Sequence, residues 1–179
     1  VDQVGGPQIR NIGTIGGNVC NGVTSADSAA TLLAHDAIME LTGPDGARQV
    51  PMREFYVKAG KTVLSHNELL TAIRIPRDRY AGFYGAYIKY SMRNAMDIAT
   101  IGCSVNVRLS ADRRRVEEAR IAFGVAGPVP MRAPSAEAAV SGALLEPTLV
   151  ERFAEGALSD VNPRTSWRAT KEFRLHIIG

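Results

Sequence analysis

The sequence predicts an α+β fold in which helices cover one face of an antiparallel sheet. Three observations predict it. Residues 86–92, 98–109 and 116–123 carry the β-branched and aromatic content of strands. Helical stretches at 135–141 and 147–158 come after those strands and not between them. Strands first and helices after is the order that lays helices on one side of a sheet. The third observation is a hairpin signal earlier in the chain, Gly43-Pro44-Asp45-Gly46 between apolar segments at 37–42 and 47–50.

Taken in order, the chain opens on a glycine-rich stretch, residues 7–22. Bare backbone at Gly16-Gly17 can approach a bulky ligand and offer N–H groups to phosphate oxygens, and Thr14 and Asn18 add uncharged donors. On spacing alone the same glycines favour a turn or bulge between strands. Ser25-Ala26-Asp27-Ser28 is a cluster of capping residues before a short helix at 29–34. After the hairpin, Pro51 begins a helical turn through Phe55, and 69–75 reads as a strand that Pro76 ends. Residues 77–82 are charged, small and aperiodic, which divides the chain into 1–78 and 79–179. Beyond the three strands, Pro134 and Pro147 suit first helical positions. From about Ser166, Trp167, Phe173, Leu175, Ile177 and Ile178 among basic residues read as an amphipathic helix.

Composition narrows the function classes. With 45% apolar and 22% charged residues, 179 residues suit one good core or two small ones. No apolar run approaches the roughly 20 residues needed to cross a bilayer, and the start lacks the pattern of a secretory signal. The net charge of +3 is mild, and Arg113-Arg114-Arg115 reads as a solvated hairpin tip rather than a nucleic-acid contact. Cys20 and Cys103 lie far apart without companion histidines, which predicts reduced thiols, no metal site and a cytoplasmic setting. His35, His66 and His176 are isolated, and neither paired carboxylates nor a Ser-His-Asp order occurs, so no catalytic residue is expected in this chain. Residues 13–17 do not give G-x-G-x-x-G, which excludes a Rossmann dinucleotide site.

The run IRNIGTIGGNVCNGVTSADSA at 9–29, followed in order by Lys61-Thr62, 67–76, 89–99 and 167–174, resembles the FAD-binding subunits of the molybdenum hydroxylases. Among these it looks most like the subunits of bacterial xanthine dehydrogenases. The resemblance implies the second half of a PCMH-type FAD-binding domain at 1–78, then a small α+β domain like the C-terminal domain of CO dehydrogenase flavoproteins at 79–179. It implies that the N-terminal half of the FAD domain, with a further glycine-rich loop, is missing, and that the chain is part of a larger polypeptide.

The resemblance also implies a set of FAD contacts. Thr14, Ile15, Gly16, Gly17 and Asn18 match the family's loop, with Ile9 as an apolar neighbour of the flavin. Asp27 would accept hydrogen bonds from ribityl hydroxyls, although a helix N-cap explains it as well. Leu70 would pack near the flavin or simply fill the core, and Lys89 would face FAD or point outward from its strand. Asp97 and Ile98 would adjust access for NAD, with a turn aspartate as the plain alternative for Asp97. The implied function is electron transfer from iron–sulfur clusters through FAD to NAD. Molybdopterin and 2Fe-2S clusters would lie on a molybdenum-binding subunit and an iron–sulfur subunit, and hypoxanthine and xanthine would be oxidised at the molybdenum centre. The alternative is a scaffold segment of such a complex without flavin. Trp167 and Phe173 among Arg168, Lys171 and Arg174 have the composition of a subunit contact.

Overall fold

A computed structural model describes all 179 residues, 1–179. Proline in its first turn starts helix α1 (Pro7–Ile12), and Gly13 closes it by donating its N–H to Ile9 O. Thr14 then caps helix α2 (Ile15–Cys20), its Oγ1 accepting the Gly17 N–H at 2.8 Å. The glycine-rich stretch is therefore neither a bare loop nor a bulge between strands. A threonine cap overrides the poor helix propensity of Ile15, Gly16 and Gly17 and winds them into a first turn.

Helix α3 (Asp27–Ala34) follows, with Ser28, Ala29, Ala30, Leu32, Leu33 and Ala34 all buried. The expected hairpin forms as β1 (Ile38–Gly43) and β2 (Gly46–Pro51), with Gly46 at φ +110, a turn conformation that favours glycine. After α4 (Met52–Phe55), strands β3 (Tyr56–Lys58) and β4 (Lys61–Thr62) make a small pair. Strand β5 (Leu69–Arg74) then joins the hairpin on the free side of β1, giving the order β2-β1-β5.

A short 3-10 turn, Arg77–Arg79, leads into the second sheet. Its strands β6 (Phe83–Tyr90), β7 (Ile101–Leu109), β8 (Val116–Gly124) and β9 (Met131–Arg132) pair antiparallel in sequence order. Helices α5 (Pro134–Val140), α6 (Thr148–Asp160) and α7 (Lys171–Ile178) come last. The period-2 alternation of strands sends Ile101, Cys103 and Val105 of β7 into a core with Ile121, Phe123, Ala133, Ala136 and Ala157, beneath these helices. Each fully buried Phe or Ile there contributes about 1.5–3 kcal/mol.

The opposite face of this sheet is covered too, by α3. Asn106 of β7 donates from Nδ2 to Ala34 O at 3.1 Å, and Ala122 of β8 joins the core that holds Val19, Ala29, Ala30, Leu33, Met39 and Phe55. Alanines on α3 let its backbone approach closely. A charge cluster fastens the same seam: Asp36, just past α3, accepts from Arg132 at 2.7 Å and Arg79 at 3.3 Å and lies 3.7 Å from Arg120. Arg120 is buried, and its charge is met by Glu118 at 2.6 Å and by the face of Phe83, 4.4 Å from the ring centre.

Three expectations need correction. Asp27 is the first residue of α3 and not its cap, which is Ala26, and its side chain serves other partners. Pro147 precedes α6 as its cap, one position earlier than expected. The last helix begins at Lys171, because Thr170 caps it by accepting from Phe173 N at 3.2 Å. Trp167 thus lies outside that helix, in a turn closed by the pairing of Ser166 with Ala169. Strand β9 had no signal, since two residues show no period.

Candidate functional site

The capped start of α2 forms a ridge between two clefts. On one side a cleft of about 380 Å³ is lined by Ile9, Arg10, Gly13, Thr14, Ile15, Gly17, Asn18 and Ser28, with Val1 and Val4 at its rim. On the other a broader one of about 530 Å³ shares Thr14 and Ile15 and adds Gly16, Leu32, Leu70 and Ile73. Both volumes fall in the range of about 300–1,000 Å³ usual for ligand pockets. Neither lining contains a carboxylate, and Arg10 supplies the only side-chain charge. Such a surface suits an anionic ligand with apolar parts.

Local geometry explains what the ridge can donate. Thr14 Oγ1 already accepts from Gly17, so its own hydrogen is free. The N–H groups of Ile15 and Gly16, at the first turn of a helix, have no intrahelical partner. Asn18 accepts from Ser28 Oγ at 2.6 Å and Ser28 N at 3.3 Å, which fixes the amide and leaves Nδ2 to donate elsewhere. A Cβ on Gly17 would lie 3.1 Å from Thr14 Oγ1, so a larger residue would press on the cap, whereas one on Gly16 would make ordinary contact with Leu70 at 3.6 Å. The walls are apolar and open: Ile9 and Ile15 are each about half exposed.

A buried ion pair lies next to this ridge. Lys89 Nζ donates to Asp27 Oδ2 at 2.9 Å and to Gln3 O at 2.9 Å, with side chains only 4% and 10% exposed. Tyr87, two residues before Lys89 and on the same face of β6, donates its hydroxyl to Asp27 Oδ1 at 3.0 Å. Burial, and then the charge of Asp27, push the Tyr87 hydroxyl well above its ordinary pKa, so it remains a donor. Lys89 therefore faces inward toward α3. It also lines a third cleft, of about 270 Å³, with Gln3, Tyr90, Ser91, Arg93 and Asp97.

Asp97 is a turn aspartate that closes its own segment. It accepts from Met92 N at 2.7 Å, Arg93 N at 3.0 Å and its neighbour Ile98 N at 2.9 Å. Desolvation raises its pKa, but these three backbone donors outweigh that and hold it below the usual carboxylate range. Met96, at φ +51, ties the segment to the chain start by donating its N–H to Gly5 O at 3.4 Å.

The residues singled out by sequence thus fall into two neighbouring groups. Ile9, Thr14, Ile15, Gly16, Gly17, Asn18 and Leu70 surround α2, while Lys89 and Asp97 line the third cleft, with Asp27 held against Lys89. Ile98 is nearly half exposed and lines none of these clefts. Sequence reasoning missed Arg10, Ser28, Gln3 and Tyr87. Only Tyr87 had a signal, its two-residue spacing from Lys89 on a strand. Nowhere do three or more His, Cys, Asp or Glu side chains gather as for a metal ion. Cys20 and Cys103 are free, and burial pushes the Cys103 thiol up to about 11. No helix is long and apolar enough to cross a membrane.

The chain is similar to known proteins over both of its halves. Residues 1–78 match the family model of the FAD binding domain in molybdopterin dehydrogenase, and residues 86–179 match that of the CO dehydrogenase flavoprotein C-terminal domain. The chain is 49% identical to the xanthine dehydrogenase FAD-binding subunit of Escherichia coli O157:H7 over 176 residues, covering 98% of this chain and 60% of that one. It is 31% identical to the carbon monoxide dehydrogenase medium chain of Hydrogenophaga pseudoflava over 173 residues, covering 97% and 59% respectively. A solved structure of carbon monoxide dehydrogenase from H. pseudoflava, lacking the Mo-pyranopterin moiety, superposes with a TM-score of 0.92 at 33% identity, over 99% of this chain and 60% of that one. The chain spans about 60% of the length of these relatives.

Proposed function

Because the chain belongs to the FAD-binding subunits of the molybdopterin dehydrogenases, we propose that it holds FAD along the ridge of residues 14–18, as the flavin-binding part of a larger oxidoreductase. The observation that carries this reading is the carboxylate-free pair of clefts at the capped start of α2, beside the buried Lys89–Asp27 pair. FAD when bound supplies the redox chemistry, which suits a pair of clefts at α2 whose linings hold no carboxylate, histidine or lysine.

The chain's own residues bind and orient. The unpaired N–H groups of Ile15 and Gly16, the Thr14 hydroxyl and Asn18 Nδ2 donate to phosphate and ribityl oxygens, with Arg10 adding positive charge. Ile9, Ile15 and Leu70 provide apolar walls. Asp27 keeps lone pairs beyond those used by Tyr87 and Lys89 and accepts from ribityl hydroxyls. Lys89, fixed by two acceptors, presents a positive charge to the flavin, and Asp97 holds residues 91–97 at its edge, with Ile98 controlling access for NAD.

In this reading residues 1–78 bind the cofactor and residues 79–179 form the flavoprotein C-terminal domain. Electrons come from 2Fe-2S clusters and molybdopterin on partner subunits, and NAD accepts them in the cytoplasm. The likeness to xanthine dehydrogenase subunits supports hypoxanthine and xanthine as the compounds oxidised on the molybdenum-bearing partner. The test is to purify the complete complex, extract its cofactors, and follow purine-dependent NAD reduction. A complex without flavin refutes the cofactor assignment, and one that reduces other acceptors but not NAD refutes the acceptor.

A further inference from the structure

Arg174 carries its charge in the interior with no carboxylate to meet it. The residue is 2% exposed and lies on α7 against β7. Its Nη1 donates to Thr100 O at 3.1 Å and its Nη2 to Ser166 Oγ at 2.9 Å, while Nε has no partner and neither does the buried Thr100 Oγ1. Every other well-buried cation in this chain is paired: Lys89 with Asp27, Arg120 with Glu118, Arg132 with Asp36 and Glu137. Around Arg174 stand more cations. Desolvation, then the charges of Arg164 and Arg168, hold its guanidinium below its ordinary pKa. Between Arg164 and Arg174 the one acid is Glu172, which is exposed and has Lys171 as its nearest charge.

The surface above this cluster is apolar and uncovered. Trp167 is 84% exposed, and the Arg168 guanidinium stacks on its ring at 4.0 Å. Phe173 meets Tyr90 edge-on, with ring centres 6.0 Å apart, and both remain partly exposed. Ile88 pairs with Cys103 and Tyr90 with Ile101, so these two β6 side chains share the helix-covered face of the sheet. The helices stop short of β6, the edge strand, and leave Ile88 bare.

We propose that the surface from Ile88 and Tyr90 across Phe173 to Trp167 docks an acidic segment of a partner polypeptide, whose carboxylates meet Arg164 and Arg168 and whose apolar residues cover Trp167. Charge complementarity selects this occupant. Three arginines with no ion-pair partner leave a net positive field, and an incoming carboxylate removes the repulsion that Arg174 bears. Tryptophan, tyrosine and arginine together are also the residues that anchor protein interfaces. This inference rests on the reading that the chain works within a multi-subunit oxidoreductase.

The test uses the complete complex, expressed with all its subunits, carrying R164E/R168E or W167A in this chain. R113E/R114E, at the hairpin tip between β7 and β8, is the charge control. Arg164, Trp167, Arg113 and Arg114 are exposed and Arg168 is half-buried, and matching thermal melts establish that the variants fold. Sedimentation at a series of salt concentrations gives the affinity of this chain for its partners, and visible absorbance gives its flavin content. The expected result is at least about tenfold weaker assembly for both variants, with flavin retained, the wild-type salt dependence lost in R164E/R168E, and the control unchanged. Wild-type affinity in both variants overturns the proposal. So does cross-linking that maps the acidic segment to this same polypeptide. Flavin absent from every protein, with assembly still weakened in the variants, refutes the cofactor reading and supports the docking surface.

Discussion

Asp27 and Lys89 stand 62 residues apart in sequence, and their Oδ2 and Nζ atoms meet at 2.9 Å between the first turn of α3 and the edge strand β6. Removing one partner strands the other charge in a poorly solvated site. Lys89→Met is expected to cost about 3–5 kcal/mol in urea unfolding, because it leaves the Asp27 carboxylate without its counter-ion. The double variant Asp27→Asn/Lys89→Met should recover much of that loss, since Tyr87 can still donate to the amide oxygen. Purely additive losses would refute the coupling.

Gly17 lies in the first turn of α2, where a Cβ would come within 3.1 Å of the cap oxygen of Thr14. Gly17→Val should displace that cap, at a cost of about 1 kcal/mol, and fill the cleft. Flavin content of the purified protein should fall severalfold or more while the far-ultraviolet circular dichroism stays native. Full flavin occupancy in this variant would reject the ridge as the cofactor site.

Replacing a helical glycine by alanine ordinarily stabilises by about 0.5–1 kcal/mol. At Gly156 in α6 the sign should reverse, because a Cβ there would lie 2.6 Å from Ala136 Cα of α5. Overpacking of this kind costs about 1–3 kcal/mol, so Gly156→Ala should lower the melting temperature. A raised one would mean that α5 can move aside freely.

Glu68 accepts from Arg48 Nε at 2.6 Å and from Ser65 N at 2.8 Å, and these two bonds lower its pKa from 4.5 to about 2. A carboxylate depressed in the folded state contributes stability that is fully present above pH 4.5 and drains away as pH falls toward 2. The pair is partly solvated, so the effect is small. Glu68→Gln should flatten the stability profile within that window and lower it by a small constant amount above pH 5.5 or so. An identical acid slope in the variant would refute the assignment.

Elements governed by short-range rules were legible in the sequence. The hairpin at Gly43 to Gly46, the strand alternation in β7 and the proline start of α5 each follow from neighbours within a few residues. What escaped was decided elsewhere in the chain. Asp27 has the composition of a cap, yet its carboxylate answers to Tyr87 and Lys89, which no local pattern announces. The helix at residues 15–20 was hidden because glycine and isoleucine argue against helix, although Thr14 before it was a capping signal. Trp167 read as helical because its apolar neighbours continue the period, while Thr170 resets the start. Within the candidate site, the glycine ridge drew notice from composition alone. Lys89 stood out as a lysine in an apolar strand, and its partner came only with the folded chain.

Helix α3 touches the hairpin side of the molecule and the second sheet at once, through Leu33 and Met39 on one hand and Asn106 and Ala122 on the other. The exposed Arg77 lies between the two halves of the chain as a natural target for trypsin. A cut there should leave the fragments clamped, travelling together through gel filtration and parting only in denaturant, because neither can let go of α3 without baring alanine and leucine to water. Heating should accordingly give one sharp transition and not two. Whatever ligand tightens the start of the chain would then be felt as protection in amides of β7 and β8, far beyond its own contacts.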